Sequence, residues 1–166
     1  MLYVTSPLSD PAPQIRYAEV LLTLAEAEGR SNAGVSTRAF DLLNAVRNRS
    51  LANAPAQQYT LASFANRNDL VRAILMERRI ELLAEGKRWG DIHRLATDPV
   101  FSTGVLPAKI GTGIAATSMY QCGGGSAPYA GGLTVPSIPY ADYRFLWPIP
   151  LSERQQNPNY EQNPGY

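Results

Sequence analysis

Glu77, Glu81 and Glu85 recur at four-residue steps, a spacing that places three carboxylates on one face of a helix. Two carboxylates can act as acid and base on a glycosidic bond, but only when they flank a cleft at a set separation. A ladder on one helix does not achieve that alone. Arg78, Arg79 and Arg88 lie close enough in sequence to answer some of these acids. The ladder is therefore expected to form ion pairs and capping bonds that fix how helices dock.

Other catalytic constellations fail on residue type. The chain has one histidine, His93, and one cysteine, Cys122, so the usual Cys/His zinc sets and an internal disulfide are both impossible. A carboxylate-bridged metal centre needs Glu-x-x-His steps, and Gly90 stands where that glutamate should be. A serine or cysteine nucleophile would have to recruit the same His93, and no nucleophile-elbow motif accompanies it. Gly123-Gly124-Gly125 lacks the Gly-Lys-Ser/Thr that makes a phosphate loop. His93 is expected as a partly exposed helix residue, and the chain as a non-enzyme without metal or cofactor.

Sugar recognition asks for different residues: flat aromatic faces for the apolar side of a pyranose, with amides, carboxylates or guanidinium groups for its hydroxyls. Tyr120, Gln121, Tyr129, Tyr140, Asp142 and Tyr143 meet that requirement and form the candidate ligand-binding set. Trp89 and Trp147 lie in segments expected to pack, so both are read as anchors.

The elements that must position these residues belong to a chain of 166 residues, 45% hydrophobic and 17% charged, enough for one globular domain. Its net charge is +1 with basic and acidic residues interspersed, which removes the phosphate-neutralising footprint of a nucleic-acid binder. Only Lys87 and Lys109 among the 15 basic residues are lysine, and arginine suits fixed, partly buried ion pairs. No run approaches the roughly 18 apolar residues of a transmembrane helix. The N-terminus lacks the basic, apolar and small-residue regions of an export signal, so the chain is expected to be cytoplasmic or to have lost its address label.

Apolar periodicity predicts a helix over residues 14–29, with Ile15, Ala18, Leu22 and Ala25 on one face and Tyr17, Leu21 and Leu24 on another. Apolar residues on two faces imply packing on two sides. A second helix runs from about Ser36, a cap-competent serine, to Ser50, with Ala39, Leu42, Leu43 and Val46 as its stripe. A third spans about 68–85 with Leu70, Ile74, Leu75, Ile80, Leu82 and Leu83, and Gly86 breaks it before a shorter helix through Leu95. These form two antiparallel pairs, tetratricopeptide-like in shape without a position-by-position repeat. Residues 97–142 change character to glycine, proline, serine and tyrosine, a long loop or small β insert where a ligand or partner contact is plausible. Over 143–166 the prolines argue against helix and for an extended strap over the helices, anchored by Trp147, Tyr160 and Tyr166. The whole is expected to be a single mainly α domain: helical pairs over 14–96, then the insert, then the strap.

Four ordered signatures run through these elements. They are Arg16-Tyr17-Ala18-Glu19 followed by Leu43, Asn44 and Arg47; Glu77-Arg78-Arg79-Ile80-Glu81-Leu82; Glu85-Gly86-Lys87-Arg88 with Asp91 to Arg94; and Trp147-Pro148-Ile149-Pro150 with the ending Asn163-Pro164-Gly165-Tyr166. In identity, order and approximate separation they resemble the C-terminal part of the RagB/SusD family of surface nutrient-binding lipoproteins. The match covers about residues 14–96 and 143–166. The resemblance implies a mostly helical scaffold, a lipid anchor on the outer membrane and a SusC-like TonB-dependent transporter as partner. It also implies capture of glycans or other nutrients without catalysis. A family member normally begins with a lipoprotein signal and a long N-terminal helical region, so this chain resembles a fragment. The shared motifs determine the fold, and no binding residue transfers through them. The alternative is a helical-repeat module that grips a protein or peptide and binds no sugar.

Overall fold

In the computed structural model, residues 14–108, 135–157 and 159–166 are described. Helix α1 runs Tyr17–Ser31, entered from Arg16 in an extended conformation. Ala18, Leu22, Ala25 and Gly29 fall three or four residues apart and form its buried face. Helix α2, Thr37–Arg47, begins where sequence predicts, because the Ser36 Oγ accepts a hydrogen bond from the Ala39 amide at 3.2 Å. Ala39, Leu43 and Val46 are buried along it, and Leu42 packs partly against them. Helix α3, Arg67–Glu81, is capped by Asn66, whose side chain accepts from the amides of Asn68 and Asp69.

α1 packs against both α2 and α3. The core between them joins Leu22, Leu43, Leu70 and Ile74 with Phe64, which meets Phe40 and Tyr59 edge to face. Small residues on α1 let α3 approach closely. A Cβ built on Gly29 would lie 2.9 Å from Val71 Cγ2.

α3 ends at Glu81, four residues before its expected end. Ala84 and Gly86 both take positive φ, 64° and 75°, which unwinds the chain and restarts it as α4, Lys87–Arg94. The buried apolar stripe of α3 is accordingly Leu70, Val71 and Ile74, while Met76 and Ile80, and Leu83 in the turn beyond, are exposed. The second apolar face expected for α1 is only half covered: Leu21 packs on the core, but Tyr17 is 75% exposed.

The chain divides into two compact units at Gly90 and Asp91, inside α4. In the second unit, two two-residue strands pair antiparallel, β1 (Val105–Leu106) with β2 (Ile138–Pro139), in the register Val105 to Pro139 and Leu106 to Ile138. This ladder closes the base of the insert. A 3-10 turn at Tyr143–Phe145 follows and buries Phe145, 1% exposed, under His93 and Tyr140.

The C-terminal strap contains a helix that sequence reasoning excluded. α5, Leu151–Gln156, starts directly after Pro150, because a proline just outside the first turn gives up no intrahelical hydrogen bond. The rest of the strap is extended and held through its backbone. Gln162 brackets Ile149, accepting from its amide at 2.8 Å and donating to its carbonyl at 3.1 Å. Asn163 donates to the Trp147 carbonyl at 2.7 Å, and the Tyr166 hydroxyl donates to the Leu146 carbonyl at 2.8 Å. The Trp147 side chain is 69% exposed, while its main-chain carbonyl is held by Asn163.

Two glycines test this packing. Gly29→Ala gains helix propensity of up to about 1 kcal/mol but drives a methyl into β-branched Val71, where overpacking costs about 1–3 kcal/mol. Net destabilisation is expected as a lower urea midpoint, and a raised midpoint would refute the close approach of α1 and α3. Gly165 sits at φ 100° with the Tyr143 ring 2.5 Å from where its Cβ would be. Gly165→Ala is expected to loosen the tail, speeding hydrogen exchange at the Ile149 amide by at least about tenfold and leaving α1 amides unchanged.

Candidate functional site

The carboxylates Glu77 and Glu81 of α3 and Glu85 just beyond it are met by arginines distant in sequence. Glu77 Oε2 accepts from Arg47 Nη1, at the end of α2, at 2.8 Å. Glu81 Oε1 accepts from Arg16 Nη1 and from Arg49 Nη2, both at 2.8 Å. Glu85 takes Arg16 Nε on one oxygen at 2.9 Å and Nη2 on the other at 2.8 Å, a bidentate fork. Arg16 Nη2 also donates to the Glu81 carbonyl at 2.8 Å, satisfying a main-chain acceptor at the end of α3.

Arg78, expected to answer its neighbours in the ladder, points to α1, where it donates to Glu19 Oε1 at 3.0 Å and to Thr23 Oγ1 at 3.1 Å. Lys87 Nζ lies 3.0 Å from Glu19 Oε2 and donates to the Gln14 carbonyl at 2.8 Å. The Arg47 guanidinium also stacks over Tyr59, 4.4 Å from the ring centroid. Sequence reading did not find Arg16, Arg49 or Tyr59 in these roles. The one available signal was an arginine placed just before a helix start and another just after a helix end.

The electrostatics follow the geometry. Burial pushes Glu81 up, but hydrogen bonds from Arg16 and Arg49 outweigh it and hold the carboxyl below the usual range. Burial pushes Glu19 up in the same way, and Lys87 and Arg78 together hold it down. Glu85, then Glu81, raises the already high pKa of Arg16. A general acid must carry a proton near neutral pH. Glu81 is instead held ionised, with Oε1 shared by two guanidiniums, so it cannot serve as that acid. The arrangement can fix three helices to one another.

Three of the six candidate ligand residues fall together, in the turn that follows β2. The Tyr140 amide donates to the Gly104 carbonyl at 2.9 Å and its ring meets Phe145 edge to face at 5.2 Å, leaving the side chain half exposed. Asp142 caps the 3-10 turn at the Arg144 amide and pairs with the Arg144 guanidinium through both oxygens, at 2.9 and 2.7 Å. Hydrogen bonds from Arg144 hold its pKa down to about 2. Tyr143 packs against Gly165 and meets Tyr166 at 5.0 Å between ring centroids, so one side of its ring serves the tail. Tyr120, Gln121 and Tyr129 lie outside the described residues.

His93 is partly buried, and its Nε2 lies 2.9 Å from the Phe145 carbonyl. Among the described residues no group of three or more His, Cys, Asp or Glu side chains could hold a metal ion. No helix among them is long and apolar enough to cross a membrane.

The sequence matches the profile of the SusD family over residues 5–166. The chain belongs to the SusD family. It is similar to SusD-like protein P2 of Formosa agariphila, with 40% identity over 82 residues, 49% of this chain and 16% of that protein. It is similar also to SusD-like protein P38 of the same organism, with 42% identity over 85 residues, 48% of this chain and 16% of that protein. The matched segment thus spans about a sixth of the length of these relatives. No solved structure gives a significant match.

Two outcomes check the ion-pair framework. Glu77→Gln leaves Arg47 without its carboxylate in a site where the glutamate side chain is only 9% exposed, and about 3 kcal/mol of stability is expected to be lost in urea titration. Arg38→Ala, which breaks the exposed pair with Glu28, should lose under about 1 kcal/mol. Equal losses would mean that burial does not set the strength of these pairs. For pH, Glu19 and Glu81 titrate lower folded than unfolded, so their stabilisation is complete above about pH 5 and is lost as pH falls through the ordinary carboxylate range and below. Urea midpoints are expected to be level from pH 7 to 5 and to drop toward pH 3, with a smaller drop in Glu19→Gln.

Proposed function

We propose that this chain is the C-terminal part of a non-catalytic protein of the outer-membrane surface that binds a glycan or other nutrient and delivers it to a SusC-like TonB-dependent transporter. What carries the reading is membership of the SusD family across residues 5–166, a family of surface binding proteins. The arginine-paired carboxylates agree with it, since groups already committed to guanidiniums are unsuited to acid–base work on a glycosidic bond.

On this reading the ligand-contacting set is Tyr120, Gln121, Tyr129, Tyr140, Asp142 and Tyr143. Support comes from the ladder of β1 with β2, which holds the two ends of the insert side by side with Tyr140 directly after the second strand. An aromatic at that position can offer a face to a sugar ring while its own backbone is fixed. The second reading, a helical module that grips a protein or peptide, draws support from the outward apolar side chains Tyr17, Met76, Ile80 and Leu83.

Calorimetry of the chain against a panel of oligosaccharides, with Tyr120→Ala and Tyr129→Ala, tests the proposal. The expected result is heat with at least one glycan, an affinity about tenfold weaker in either variant and an unchanged urea midpoint. No heat with any glycan, together with capture of a protein that both variants retain, would favour the second reading. A transporter gene beside this one would support the delivery step.

A further inference from the structure

We draw no further inference here: the strongest candidate, the outward apolar stripe of Tyr17, Val20 and Leu24 on α1 with that of Met76 and Ile80 on α3, is an unpartnered helical surface, and nothing in the structure shows what covers it.

Discussion

One guanidinium ties the helical unit together. Arg16 stands just before α1 and donates to four acceptors at and just beyond the end of α3: a carboxylate oxygen and the main-chain carbonyl of Glu81, and both oxygens of Glu85. Glu81 in turn accepts from Arg49, two residues beyond α2. A single carboxylate therefore joins three helices that meet nowhere in sequence. Only a planar fork with several donors can do this, and a lysine ammonium in place of Arg16 would lack the paired geometry for Glu85. The early end of α3 follows from the same contact. Glu85 meets Arg16 from a non-helical turn, made possible by the positive φ of Ala84 and Gly86, and the chain re-enters a helix at Lys87, which reaches back to Glu19.

The legibility of this arrangement was uneven for a physical reason. Helical spacing tells which residues share a face, so Glu77 and Glu81 were readable as neighbours on one ladder, whereas Glu85, expected on the same face, reaches Arg16 from the turn beyond α3. It does not tell which other helix that face meets. Arg78 directly follows Glu77, but neighbours on a helix are turned by about 100°, and it answers Glu19 on α1 while Glu77 answers Arg47 on α2. Both caps are local, but Ser36 stands close to its apolar stripe and was legible, whereas Asn66 was missed because the apolar pattern begins only at Leu70. The two apolar faces of α1 were legible as a pattern, although Tyr17 remains exposed, because periodicity reports apolar character and not the presence of a partner.

The strap follows a second rule. Prolines at 148 and 150 remove amide donors from an extended segment, so a regular ladder with a neighbouring strand cannot form, yet the carbonyls of Leu146, Trp147 and Ile149 still seek donors. The side chains of Gln162, Asn163 and Tyr166 supply them. Gly165 permits this by bringing the tail onto the Tyr143 ring without a Cβ. The composition of the tail hinted at an extended belt, but contacts across 13 to 20 residues leave no periodic trace in sequence. The tail is therefore fixed by the amide side chains of Gln162 and Asn163 together with Tyr166, one of the three aromatic anchors expected from sequence.

The same logic bears on how recognition is divided within the candidate set. Asp142 spends both oxygens on Arg144 and on the turn it caps, and Tyr143 gives one side of its ring to Gly165 and Tyr166. A group whose hydrogen-bonding capacity is already committed has little left to change between bound and free states. On the reading proposed above, such residues position the turn, and discrimination between cargoes falls to side chains with uncommitted faces, of which Tyr140 is the described example. The helical unit is likewise fixed by contacts that involve no ligand. The ion pairs that lock α1, α2 and α3 to one another are made by residues outside 97–142.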